Sequence, residues 1–116
     1  MSKIVIHRAH HERIINIGEV QVFKASCKYV IANVDGKEWF VKRPQRPTLK
    51  ALYALSDGGH IYASSGTLIA VNAIVGRISD YEIAGHFGAV MRDGSIVKVA
   101  RREQAAFNRV YLRLVK

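Results

Sequence analysis

A chain of 116 residues with 18 Lys and Arg against 9 acids has a formal net charge of +9, an excess that favours a polyanionic partner, nucleic acid or an anionic membrane surface. Its length suits one domain and its 49% hydrophobic content argues against global disorder, while no apolar run approaches the ~20 residues of a membrane-spanning helix. The single cysteine, Cys27, excludes an internal disulfide and fits a reducing cytoplasm.

In chain order, residues 3–6 form a brief β-branched run, too short and too soon charged to be a signal peptide. His7-Arg8-Ala9-His10-His11-Glu12-Arg13 interrupts it and reads as an exposed polar loop or a weakly basic arm. Residues 14–17 resume a strand, and residues 19–22 alternate polar and apolar with period two. Cys27 reads as a small packing or turn residue, with Lys24 and Lys28 placed to favour its thiolate. Residues 29–34 are β-prone, Asp35-Gly36 accepts positive φ, and Trp39-Phe40-Val41 follows, which together predict a hairpin.

Pro44-Gln45-Arg46-Pro47 cannot continue a ladder and marks a linker or crossover. Thr48 can cap a helix carrying Leu49, Leu52, Tyr53 and Leu55, which Gly58-Gly59 ends. Strands are expected at residues 60–63, 68–71 and 74–78, with a turn at Ser79-Asp80 and a loose stretch over residues 85–88. Residues 89–92 and 96–99 flank a second Asp-Gly turn at Asp93-Gly94. A closing helix from about Arg102 carries Phe107, Val110, Tyr111 and Leu114 on one stripe, with Arg109, Arg113 and Lys116 off it. The architecture is mainly β, with a short middle helix and a C-terminal helix.

Catalytic chemistry is hard to assemble from these residues. The acids are scattered, and the phosphate-binding loop, the Gly-x-Gly-x-x-Gly turn and the Gly-x-Ser-x-Gly elbow around Ser64 or Ser65 are missing. His7, His10 and His11 could share a helix face, but they sit between β-prone runs with no carboxylate or cysteine cluster to complete a metal site. His60 and His86 read as ordinary edge or loop residues. No enzyme, cofactor or metal is expected.

What remains is the placement of cations. Lys24 and Lys28 flank the first hairpin; Lys37, Lys42, Arg43, Arg46 and Lys50 span its return strand, the Pro linker and the helix start. Arg92, Lys98, Arg101 and Arg102 gather around the last hairpin and the entry to the final helix. Such side chains suit phosphate contacts. Helix-turn-helix, zinc-finger, basic-zipper and RNA-recognition patterns are all absent, so loops or strands would do any reading.

Several local motifs in this order resemble the LytTR family of bacterial DNA-binding domains. They are Ile17-Gly18-Glu19-Val20-Gln21-Val22-Phe23, the Asp35-Gly36 hairpin, Thr48-Leu49-Lys50-Ala51-Leu52, and Ile69-Ala70-Val71-Asn72-Ala73-Ile74. Met91-Arg92-Asp93-Gly94-Ser95 and Val97-Lys98-Val99-Ala100-Arg101-Arg102 complete the set. The resemblance spans residues 17–116 and leaves residues 1–16 as an N-terminal extension or extra strand, with no receiver domain ahead of it. It implies an elongated arrangement of small antiparallel sheets and loops that enter successive major grooves of double-stranded DNA. Carried over by position, the reading loops map to Lys28 with Tyr29, to Thr67, and to Arg101. Lys24, Arg43, Lys98 and Arg102 are the neighbouring cations expected to meet DNA. Where the family has a charged run before Val-Asn, this chain has Gly66-Thr67-Leu68, leaving a small hydroxyl for a phosphate or a thymine methyl. Asn72 is read as structural, its amide satisfying backbone groups in a turn.

The expected function is therefore that of a cytoplasmic, sequence-specific regulator of transcription. It would bind repeated half-sites as a homodimer or as two copies, away from any membrane. The alternative is a protein-interaction module that contacts another regulator and has weakened or lost specific DNA reading.

Overall fold

The computed structural model describes residues 2–42, 48–80 and 86–115. Among these residues ten strands, two α-helices and three single 3-10 turns follow one another. The strands are β1 (Lys3–Arg8), β2 (His11–Asn16), β3 (Val22–Ser26), β4 (Tyr29–Val34), β5 (Lys37–Val41), β6 (His60–Ser64), β7 (Thr67–Ala70), β8 (Ile74–Asp80), β9 (His86–Met91) and β10 (Ile96–Lys98). Helix α1 (Leu49–Ser56) lies in the middle and α2 (Gln104–Leu114) at the end. The strands form a seven-stranded sheet in the order β2-β1-β5-β4-β3-β7-β6 and a three-stranded sheet β10-β9-β8, both antiparallel. The molecule measures 45 × 29 × 23 Å and is elongated.

Period-two alternation divides the large sheet between two cores. On one face Ile4, Ile6, Ile15, Phe23, Val30, Ala32, Trp39, Val41 and Leu68 pack under Leu49 and Leu52 of α1. On the opposite face of β6 and β7, Ala63 and Ile69 meet Ile74, Ala89 and Met91 of the small sheet and Phe107 of α2, with Ala70 joining this cluster at the end of β7. Leu68 and Ile69 are adjacent residues of one strand, so β7 is buried from Leu68 onward and belongs to both cores.

The turn chemistry works as the sequence predicts. Asp35 and Gly36 both hold positive φ, 53° and 77°, the pair of angles that a two-residue hairpin turn requires. At the second Asp-Gly turn only Gly94 is left-handed, and its N–H donates to the Met91 carbonyl at 2.9 Å. Thr48 Oγ1 accepts from the Ala51 N–H at 3.1 Å and caps α1. Its stop comes one residue earlier than expected, with Asp57 and Gly58 left-handed in place of Gly58 and Gly59.

Four expectations change. The charged segment from His7 to Arg13 is not a loop or arm: His7 and Arg8 end β1, and His11, Glu12 and Arg13 begin β2. Charge on an edge strand blocks further pairing, so its composition imitates a loop. Glu19 lies in the 3-10 turn Ile17–Glu19, its carboxylate accepting from the Asn16 N–H, and the strand starts only at Val22. The expected turn and loose stretch after residue 78 are strand instead: Ser79-Asp80 continues β8, and residues 86–88 open β9 and pair with it. Leu114 leaves the apolar stripe of α2 and stands 43% exposed, whereas Phe107 is fully buried between Phe87 and Tyr111.

Candidate nucleic-acid interface

The turns decide where the cations go. The β3–β4 turn carries Cys27 and Lys28, and the β6–β7 turn carries Ser65 and Gly66. A backbone hydrogen bond from Ala25 N–H to the Gly66 carbonyl, 2.9 Å, holds these two turns side by side. A second bond, from Ala100 N–H to the Ala63 carbonyl at 2.7 Å, ties the segment between β10 and α2 to the same place. That segment continues into the 3-10 turn Arg101–Glu103. Three chain reversals distant in sequence therefore meet at one end of the molecule.

Between them lies a cleft of about 420 Å³ lined by Lys24, Ser64, Thr67 and Lys98 over Val22, Ile96, Val97 and Ala100. Lys24 and Thr67 are direct cross-strand partners on β3 and β7. Lys28 and Tyr29 stand exposed at the β3–β4 turn, Arg101 and Arg102 on the 3-10 turn. Of the residues expected to meet nucleic acid, Lys24, Lys28, Tyr29, Thr67, Lys98, Arg101 and Arg102 are thus gathered at this end. Arg43 lies outside the described residues, as do Arg46, the proline linker and Lys116. Ser64, which completes the polar rim, carried no signal in the sequence, because only the bulged pairing of β6 with β7 brings it beside Thr67.

Arg92 does not join them. The β9–β10 turn points to the opposite end, where Arg92 donates from Nη2 to the Asn72 carbonyl. Asn72 is structural through its backbone carbonyl, not its amide. Glu19, Asp35 and Asp93 line a second cleft there, together with Arg92. Paired hydrogen bonds from the Ser95 hydroxyl and N–H hold the Asp93 carboxyl below the usual carboxylate range. The two clefts lie at opposite ends of β4 and β7, with Lys28 before β4 and Asp35 after it. Six residues of strand separate those turns, about 20 Å. Among the described residues of the cationic end, Glu103 is the acid that neighbours Arg101 and Arg102.

Other candidates are structural or isolated. Cys27 sits exposed in the turn with φ 52°. His60 is neither edge nor loop but fully buried, donating from Nε2 to the Val20 carbonyl at 2.7 Å against the ring of Phe23. Burial pushes its pKa below the ordinary imidazole value, and the Val20 bond opposes this in part. Among the described residues no group of three or more His, Cys, Asp or Glu side chains could hold a metal. No helix among them is long and apolar enough to cross a membrane.

The chain superposes on a LytTR DNA-binding domain from a methyl-accepting/DNA response regulator of Bacillus cereus with a TM-score of 0.78, covering 96% of this chain and 97% of that one. The fold is that of a LytTR-type domain. Sequence identity across the match is 17%, so the likeness lies in architecture and little in side chains. No protein-family model matches the chain, and no curated protein sequence does.

Proposed function

We propose that this chain binds double-stranded DNA through the turns at its cationic end and regulates transcription in the cytoplasm. One observation carries the reading: two backbone hydrogen bonds converge three turns with five cations on or beside them, while Glu19, Asp35 and Asp93 occupy the other end. A polyanion is steered by such a charge axis and arrives turn-first. The Bacillus cereus domain with this fold is described as DNA-binding, which supports the same class of partner.

Lys28 and Arg101 are the base readers in this proposal, donating to O6 and N7 of guanine, Arg101 with both prongs of its guanidinium. Tyr29 backs Lys28. Lys24, Lys98, Arg102 and Arg43 hold phosphates and set the register. Thr67 contributes a hydroxyl to a phosphate or its methyl to thymine, so the middle turn discriminates less than the outer two. Two copies would occupy repeated half-sites.

Selection of bound duplexes from a random library tests this directly. Enrichment of a repeated motif, with binding that exceeds binding to random duplex and falls steeply with salt, is the expected result. Equal, weak affinity for every duplex would sink sequence-specific reading and favour a protein-interaction module on the same fold.

A further inference from the structure

The face of the large sheet opposite α1 is covered by the small sheet and α2 only over β3, β7 and β6. Among the described residues nothing covers it over β2, β1, β5 and β4. Register aligns one cross-strand row along this face: Glu12 with His7, His7 with Phe40, Phe40 with Ile31, Ile31 with Lys24, and Lys24 with Thr67. Three rings stand together on it. His7 and Phe40 have centroids 5.7 Å apart, and Phe40 and Tyr29 are 5.5 Å apart. Tyr29 is 57% exposed and Phe40 41%, an unusual position for large aromatics on a soluble sheet. Neither ring contributes to either core.

Charge chooses the occupant. The row runs from the rings straight to Lys24 and Thr67, and Lys28 precedes Tyr29 in the adjoining turn. The acid at its far end, Glu12, is neutralised by Lys42 at 2.7 Å. Glu38, the other acid on this face, pairs with Asn33 one row further toward the Asp35 end. A second copy of a chain with net charge +9 would meet like charge here. Duplex DNA has no unstacked bases to offer the rings. A single strand offers both phosphates and free base faces, which suits aromatic platforms flanked by lysines.

We propose that this open face is a second site, for single-stranded DNA, with bases stacked on His7, Phe40 and Tyr29 and the backbone led toward Lys24 and Lys28. The site is continuous with the cationic end through Lys24 and Thr67, so one DNA molecule with a duplex and an unpaired stretch can occupy both.

Fluorescence anisotropy of labelled oligothymidylate against the full chain tests the proposal. Phe40→Ala is expected to weaken binding by about 5- to 150-fold, the range for loss of one stacked base, and Phe40→Trp to retain it. Duplex binding by Phe40→Ala should stay unchanged, with circular dichroism and melting confirming the fold. Unaltered single-strand affinity in both Phe40→Ala and Tyr29→Ala would overturn the site. So would a dimer in light scattering that Phe40→Ala dissolves, which would assign the face to self-association. Tighter binding of oligouridylate than of oligothymidylate would overturn DNA as the ligand. Because duplex reading is tested on Arg101 and this site on Phe40, either can fail without the other.

Discussion

If the cationic end is where duplex DNA sits, the salt dependence of binding is set by residues that can be named in advance. Lys24, Lys28, Lys98, Arg101 and Arg102 surround the converging turns. Each phosphate neutralised contributes about −0.9 to the slope of log K against log salt, so five contacts give a slope near −4.5 and roughly a 500-fold loss of affinity between about 50 and 200 mM salt. Substituting Lys24→Ala or Lys98→Ala should flatten the slope by about one unit each. Arg92→Ala removes an equal charge, but from the opposite end beside Glu19, Asp35 and Asp93, and should leave the slope unchanged. Anisotropy titrations of a short duplex across a salt series give all the slopes. A slope that falls equally for Arg92→Ala and Lys24→Ala would refute the argument, because binding would then follow net charge and not the end on which the charge lies.

Arg101→Ala should weaken binding to a selected duplex by ~1–3 kcal/mol. Since the Arg101 side chain is exposed and makes no hydrogen bond or ion pair among the described residues, the variant's melting temperature should match the wild type, as for other surface substitutions. Stability should depend on pH through His60. Its folded-state pKa is lowered by burial, so the unfolded chain takes up the proton first, and stability that is full above about pH 6.5 declines below it; denaturant midpoints across that range in wild type and His60→Gln check this, and an equal acid sensitivity in both would refute it. Ala9 turns β1 into β2 with φ 51°, a left-handed angle that costs a residue with a Cβ about 1–2 kcal/mol. Ala9→Gly should therefore stabilise by about 0.5–1 kcal/mol after the greater chain entropy of glycine is set against it, visible as a rise in melting temperature.

Local signals proved legible where the chain's own chemistry decides the outcome. Asp35-Gly36 and Asp93-Gly94 announce their hairpins, and Thr48 announces the start of α1, because φ preferences and a capping hydroxyl act within a few residues. What failed depended on neighbours distant in sequence. Arg92 and Lys98 are six positions apart and read as one cluster, yet a hairpin strand carries them to opposite ends. His60 looks like an edge histidine until Val20 and Phe23 close over it. The gathering of Lys28, Thr67 and Arg101 was legible only through resemblance, since no spacing reveals the Ala25–Gly66 and Ala100–Ala63 bonds.

If recognition rests on turns instead of a helix, as proposed, the turns must be held still, and β7 explains how this fold does it. Leu68 is locked in the core beneath α1, and Ile69 in the core beneath the small sheet and α2. A strand anchored on both faces can neither slide nor tilt without opening one core, because a one-residue slip would exchange the two sets of side chains. Thr67 opens that strand, Lys24 is paired to it, and the Ala25 bond hangs the β3–β4 turn from its neighbour Gly66. The third turn is anchored differently. Arg101 follows Ala100, whose N–H holds the β6 carbonyl of Ala63, while Phe107 fixes the helix that the turn leads into. Arg77 adds a clamp from β8, with its guanidinium 4.7 Å from the Tyr111 ring and bonded to Asn108. The distance from Lys28 to Arg101 is thus a property of two packed cores, not of flexible loops. A rigid spacing between exposed cations is what allows separate turns to be matched to fixed positions along a duplex.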